Sequence, residues 1–283
     1  MEPVRRLIAT ATGIMSCLEW NHPGAECLLF AHANGFNALT YRTLLAPLAA
    51  KFHVVACDLR GHGRARLSAQ PGLVKGWTIF RDDLLALAEA LSERPVIFAG
   101  HSLGATASYM AAARSPERVR ALVLLEPVLL APISTGKGGN SNSLAEMAAH
   151  RRKVFPSFAA AVDYYRNRGI FARWPEQVLA DYLTDGLTDD GDGALHLACA
   201  PDWEAEIFRE VPFGIAAIAD RVNCPVTIMR GTVASTAVDD QTAVILRASP
   251  HVAVITIEGA NHFLPLEQPE RAREELLRAA ELL

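Results

Sequence analysis

Six short, nearly continuous apolar runs recur along this chain, at 27–33, 53–59, 96–102, 120–128, 226–231 and 252–259. A strand with one wet face alternates apolar and polar residues, so runs as unbroken as "CLLFAHA" or "RALVLLEPV" suit strands buried on both faces of a parallel sheet. Between them lie stretches with helical spacing: "YRTLLAPLAAKF", "TIFRDDLLALAEALSE", "LGATASYMAAARSPERV" and "QPERAREELLRAAELL". Strand and helix repeated in this order predict an α/β sheet with helices on both faces. The start differs, since "RRLIATATGIMSCLEW" reads as two strands turned at Thr12-Gly13, an antiparallel hairpin on the sheet edge.

One segment breaks the alternation. After the strand ending near Val128 comes, from Ala131, "APISTGKGGNSNS", then a long stretch that reads mainly helical, and the alternation returns only at "CPVTIMRG". Residues 1–130 and 216–283 are therefore expected to form the core, with 131–215 as a mainly helical cap insertion entered through the flexible stretch 134–143. A chain of 283 residues suits one large domain carrying such an insertion. A net charge of -4 supplies no basic face for nucleic acid. The first twenty residues lack the pattern of a secretory signal, and no apolar run approaches the ~18 residues of a membrane span, so a cytoplasmic protein with no membrane partner is expected. Its five cysteines form no C-x-x-C pair and read as reduced core residues. Nothing in the sequence predicts a metal or an organic cofactor, or fixes the oligomeric state.

The run at 96–102 leads into "GHSLG", a serine between two glycines where strand gives way to helix. A serine there sits in a strained turn, and side chains at 100 or 104 would collide with the neighbouring strand and helix. The turn lifts the hydroxyl to the helix N-terminus, whose free N–H groups favour a developing oxyanion. Without a base the same serine is only a helix cap. Of nine histidines, His262 in "IEGANHFLPLEQPE" follows the last strand at the sheet edge where Ser102 must lie, and is the candidate base.

With "HANGF", "DLRGHG", "GHSLG" and "GANHF" in this order along nearly its full length, the chain resembles the α/β-hydrolase superfamily. The resemblance implies a mostly parallel eight-stranded sheet with helices on both faces. It also implies an oxyanion hole built from the N–H of Leu103 and of a residue in the loop after the third strand, here Asn34. The family's usual His-Gly pair before that position reads His32-Ala33. Asp58, Arg60, Gly61 and Gly63 of "DLRGHG" read as turn and loop anchors. Serine in place of the aspartate of dehalogenases and epoxide hydrolases implies attack on an acyl carbon.

The family usually carries its third catalytic member, an aspartate, just past the glycine ending the seventh strand; here "MRGTVASTAVDD" has Ala234 and Ser235 instead. Glu126, ending "LVLLE" beside the serine's own strand, is the expected replacement, a position that some members of the superfamily use. Asp239 and Asp240 read as the opening acids of the next helix. Phe36, His101, Phe171 and Trp203 are the expected substrate-binding residues, with Phe155, Phe158, Tyr164, Tyr165 and Trp174 supplying further aromatic surface in the cap. The function expected is hydrolysis of a small, largely apolar carboxylic ester or lactone, Ser102 attacking, His262 moving the proton and Glu126 orienting the imidazole. Rivals are carbon-carbon bond hydrolysis or a lyase reaction with the same three residues, and a non-catalytic ligand-binding protein on the same fold.

Overall fold

The computed structural model describes residues 2–70, 72–130, 139–248 and 251–281. Eight strands form one sheet: β1 (Val4–Thr10), β2 (Gly13–Trp20), β3 (Cys27–Ala31), β4 (His53–Cys57), β5 (Val96–His101), β6 (Val119–Leu125), β7 (Val226–Val233) and β8 (Val252–Asn261). Their spatial order is β1-β2-β4-β3-β5-β6-β7-β8. All pairs from β4 to β8 are parallel, while β1 and β2 form the antiparallel hairpin at the edge, Thr10 facing Gly13 across the turn.

The unbroken apolar runs have their cause in two cores, one on each face. Leu29, Val55, Phe98, Leu122 and Ile228 point into one. Their strand neighbours Phe30, Val54, Ile97, Val123 and Met229 point into the other. Every residue of β5 is buried. Helices α1 (Thr78–Leu91) and α2 (Leu103–Arg114) cover the first face through Leu84, Leu87 and Tyr109.

Between β6 and β7 stand α3 (Gly139–Ala149), α4 (Phe158–Arg166), α5 (Glu176–Gly186) and α6 (Pro201–Arg209). Beside these helices, Val154–Phe155, Leu195–Leu197 and Leu187–Asp189 form a small antiparallel sheet, strands too short to show a period in sequence. The insertion shares both cores, α6 through Trp203 and Ile207 and α5 through Leu179 and Leu183. The glycine- and serine-rich stretch 134–143 lies largely outside the described residues, which resume at Gly139. Helices α7 (Asp239–Ala248) and α8 (Pro269–Glu281) follow β7 and β8, and α8 closes the second face through Ala272 and Leu276. All five cysteines are free. Among the described residues no helix is long and apolar enough to cross a membrane.

Candidate active site

Only Ser102 separates β5 from α2, and it makes the bend at φ 53° and ψ -115°. A non-glycine residue there carries strain of about 1–3 kcal/mol, which the surroundings must hold in place. They do so on both sides: the Ser102 N–H donates to the Leu125 carbonyl at 3.0 Å, and the Ser102 carbonyl accepts from Thr106 N–H at 3.0 Å. The flanking glycines are sterically required. A Cβ at Gly104 would stand 2.2 Å from the Ala31 carbonyl oxygen, and one at Gly100 would stand 2.6 Å from the Gly104 carbonyl carbon. Leu103 opens α2, so its N–H has no carbonyl within the helix to meet.

In the loop after β3 two of three successive backbone amides are spent. Ala33 N–H is given to Tyr41 Oη at 3.2 Å and Gly35 N–H to His62 Nε2 at 3.0 Å, leaving Asn34 N–H without an acceptor among the described residues. His62 presents that lone pair because its Nδ1–H is spent on the Arg60 carbonyl, 2.9 Å away. His32 anchors the same loop, donating from Nδ1 to the Ala33 carbonyl at 2.8 Å and accepting Leu59 N–H at Nε2 at 2.9 Å. Both rings must stay neutral to accept, and burial pushes their pKa values down, to about 4 for His32 and about 3 for His62.

Glu126 follows β6 directly and turns at φ 47°, so two strained non-glycine residues end neighbouring strands. Its carboxylate is fully buried and is caged by donors: Gly231 N–H at 2.5 Å, Ser235 Oγ at 2.9 Å and Thr236 N–H at 3.1 Å. Burial alone would push this carboxyl up; His262 and the hydrogen bonds from Gly231 and Ser235 outweigh burial and hold it below its ordinary value. His262 Nδ1 lies 3.4 Å from Glu126 Oε2 and 3.1 Å from Thr236 Oγ1. The Thr236 hydroxyl has two carbonyls, Glu126 and Pro127, each at 3.1 Å to receive its proton, so toward His262 it can accept. Nδ1 therefore carries the hydrogen, and Nε2 keeps a lone pair. No hydrogen bond joins Ser102 Oγ to His262 Nε2, and among the described residues both atoms are uncommitted.

The remaining expected residues divide. Asp239 is exposed and ion-paired with Arg230, and Asp240 is exposed, so neither approaches His262. Phe36 and Phe171 meet in an aromatic cluster with Trp174 and Tyr182; Phe36 is 5.4 Å from Trp174, and Phe171 is 4.7 Å from Tyr165, centre to centre. A small cavity beside the loop after β3 is lined by Gly35, Phe36, Arg151, Tyr182 and Leu197. Two expected pocket residues have other duties. Trp203 is 2 % exposed and donates from Nε1 to the Arg60 carbonyl at 2.9 Å, pinning the cap to the core. His101 is fully buried at the end of β5 with both nitrogens engaged, Nδ1 with the Tyr41 hydroxyl and Nε2 with the His262 carbonyl. Asp58 accepts from Ala38 N–H and Arg64 N–H and Arg60 pairs with buried Asp83, loop anchors as expected.

Tyr41, Ser235 and Thr236 were not foreseen. For Ser235 and Thr236 the one sequence signal is a hydroxyl pair where the aspartate is expected; Tyr41 has none. A further tie crosses from the cap, where Asn34 Nδ2 donates to the Glu204 carbonyl at 3.1 Å and the Glu204 carboxylate pairs with Arg151.

Comparison with known proteins bears on what this geometry serves. The model of a family described as "Alpha/beta hydrolase family" matches residues 28–275. A 2-(acetamidomethylene)succinate hydrolase of Mesorhizobium japonicum is 26% identical over 243 residues, 86% of this chain and 84% of that protein. An esterase of Mycobacterium tuberculosis is 25% identical over 286 residues, covering 98% and 89%. Among solved structures, an E-2-(acetamidomethylene)succinate hydrolase superposes with a TM-score of 0.83 at 22% identity over 99% of both chains, a likeness of fold.

Proposed function

Because the chain belongs to the alpha/beta hydrolase family, we propose that it is a serine hydrolase that cleaves a small, largely apolar carboxylic ester or lactone through an acyl-enzyme. The observation that carries this reading is the pairing of a strained Ser102 at a helix N-terminus with a His262 whose Nδ1–H is held toward a buried carboxylate. Nε2 of His262 takes the Ser102 proton as Oγ attacks the acyl carbon. The oxyanion gains the N–H groups of Leu103 and Asn34, donors that are uncommitted and fixed beforehand. The imidazolium then protonates the leaving alcohol, and a water activated by the same nitrogen releases the acid. Glu126, ionised throughout, stabilises the imidazolium and fixes its tautomer.

A second reading, hydrolysis of an acetamido-substituted carboxylate, draws on the name of the Mesorhizobium relative and on Arg151 in the cavity beside the oxyanion loop. Arg151 is already balanced by Glu204 and held by the hydroxyls of Tyr165 and Tyr182, so an uncharged acyl group fits better. The test is labelling with a fluorophosphonate followed by peptide mapping. The adduct is expected on Ser102 alone, and a folded protein that stays unmodified under forcing conditions removes the reading. Activated esters with neutral and with carboxylate-bearing acyl groups, run side by side, separate the two substrate classes.

A further inference from the structure

We propose that Tyr41 and His101 form a buried positioning relay that ties the oxyanion loop to the loop of the catalytic base. His101 thus acts on the reaction through His262 without touching substrate. The inference rests on the serine hydrolase reading for its effect on rate, and on geometry alone for its existence.

The relay has one consistent assignment of protons. His101 Nε2 lies 2.7 Å from the His262 carbonyl oxygen, which can only accept, so Nε2 carries the hydrogen. A neutral ring then offers a lone pair at Nδ1, and Tyr41 Oη, 2.7 Å away, must donate to it. Having given its proton, Tyr41 Oη accepts the Ala33 N–H at 3.2 Å. The chain therefore runs from Ala33 N–H to Tyr41 Oη, from the Tyr41 hydroxyl to His101 Nδ1, and from His101 Nε2–H to the His262 carbonyl. His101 is fully buried and Tyr41 is 1% exposed, so water cannot replace a lost link. Burial and the neighbouring His262 hold the His101 imidazole well below its ordinary pKa, in the neutral form that the assignment needs.

Each residue the relay grips stands at or beside a working position. Ala33 precedes Asn34, and with Gly35 N–H fixed on His62 the peptide carrying the Asn34 N–H is held from both sides. His101 precedes Ser102. The carbonyl it grips belongs to His262, and the two rings lie 5.0 Å apart, centre to centre. One chain of hydrogen bonds thus sets the distance between oxyanion donor, nucleophile and base, a distance on which a misplacement of 1 Å can cost about a hundredfold in rate.

The test uses three variants of the full chain on one activated ester, and the wild type in a histidine-labelled ¹⁵N spectrum. His101→Leu removes both links and should lower kcat about a hundredfold with KM within about threefold; Tyr41→Phe, which keeps the ring, should lower kcat about tenfold. His101→Gln can still donate to the His262 carbonyl and should recover to within about tenfold of the parent. In wild type, His101 should be the Nε2–H tautomer throughout the range in which the protein stays folded. A His101 proton on Nδ1 overturns the relay, as does Tyr41→Phe at parental kcat, which decides the matter even if His101→Leu fails to fold. A loss confined to KM in either variant also overturns it. A wild type inert to esters and to fluorophosphonate, yet with His101 in the Nε2–H form, sinks the serine hydrolase reading and leaves the relay standing.

Discussion

The turns closing β6 and β7 lie side by side at the carboxyl edge of the sheet, and each contains a non-glycine residue in left-handed backbone, Glu126 at φ 47° and Ala234 at φ 49°. The first turn holds a fully buried carboxylate. The second has no acid within hydrogen-bond reach of His262, and offers Ser235 Oγ and Thr236 N–H to Glu126 and Thr236 Oγ1 to the imidazole. A buried charge is costly unless its lone pairs are met, so a carboxylate at the end of β6 requires donors from the turn beside it. The turn after β7 instead supplies donors that cage the Glu126 carboxylate. The acid and its cage are separable parts, and each can be broken alone.

The largest expected effect sets a floor for that comparison. Ser102→Ala should remove turnover down to the background left by binding and the oxyanion donors, a loss of about 10⁴-fold or more in kcat with folding unchanged by thermal melting. Against that floor, moving the acid back sharpens the contrast: in a Glu126→Gln background, Ser235→Asp should recover about tenfold of the lost kcat, since its side chain starts 2.9 Å from the carboxylate it replaces. No recovery would mean that the second turn is a cage only. Thr236→Val removes the oxygen that shares the Nδ1 hydrogen and should cost about tenfold in kcat, with KM changed little.

Much of this was legible in sequence, for identifiable reasons. Strands buried on both faces leave unbroken apolar runs, so β3 to β8 were read nearly in full. Gly100 and Gly104 flagged the elbow because nothing larger fits there. Glu126 was legible because a carboxylate ending an apolar run demands an explanation. Tyr41, Ser235 and Thr236 were not, since uncharged hydroxyls are common and theirs act across contacts far apart in the chain. His101 was expected to bind substrate from its adjacency to Ser102, and its contacts with the Tyr41 hydroxyl and the His262 carbonyl are ones that adjacency does not reveal. Trp203 was expected to bind substrate, and in sequence an aromatic residue of the cap looks the same whether it faces ligand or, as its bond to the Arg60 carbonyl shows, also ties to the core.

The smallest predicted effect separates the charged turn from the neutral loop by pH. The pKa of Glu126 is depressed, so its contribution to stability is present above the ordinary carboxylate value and fades only as the pH falls through its lowered one. His32 and His62 are depressed to about 4 and about 3, while an unfolded chain protonates histidine near 6.5. Between those values the unfolded state binds more protons, so their contribution is whole above about pH 6.5 and lost as the pH falls toward 4 and 3. Thermal melting from pH 7 to 5 should show Tm falling in the parent, falling in parallel in Glu126→Gln, and falling less steeply in His62→Gln. Parallel curves for all three would break the assignment of neutral histidines to the loop after β3.

The claim that the acid belongs to β6 is tested most directly by steady-state kinetics of Glu126→Gln and Asp239→Asn on one activated ester. Glu126→Gln keeps the size and can present a donor where His262 requires an acceptor; by analogy with the aspartate-to-asparagine change of serine proteases, kcat should fall about 10²- to 10⁴-fold with KM little changed. Asp239, exposed and paired with Arg230 at the start of α7, should matter by less than about threefold when changed to asparagine. A near-normal Glu126→Gln enzyme beside a crippled Asp239→Asn enzyme would contradict the account and return the acid to the turn after β7.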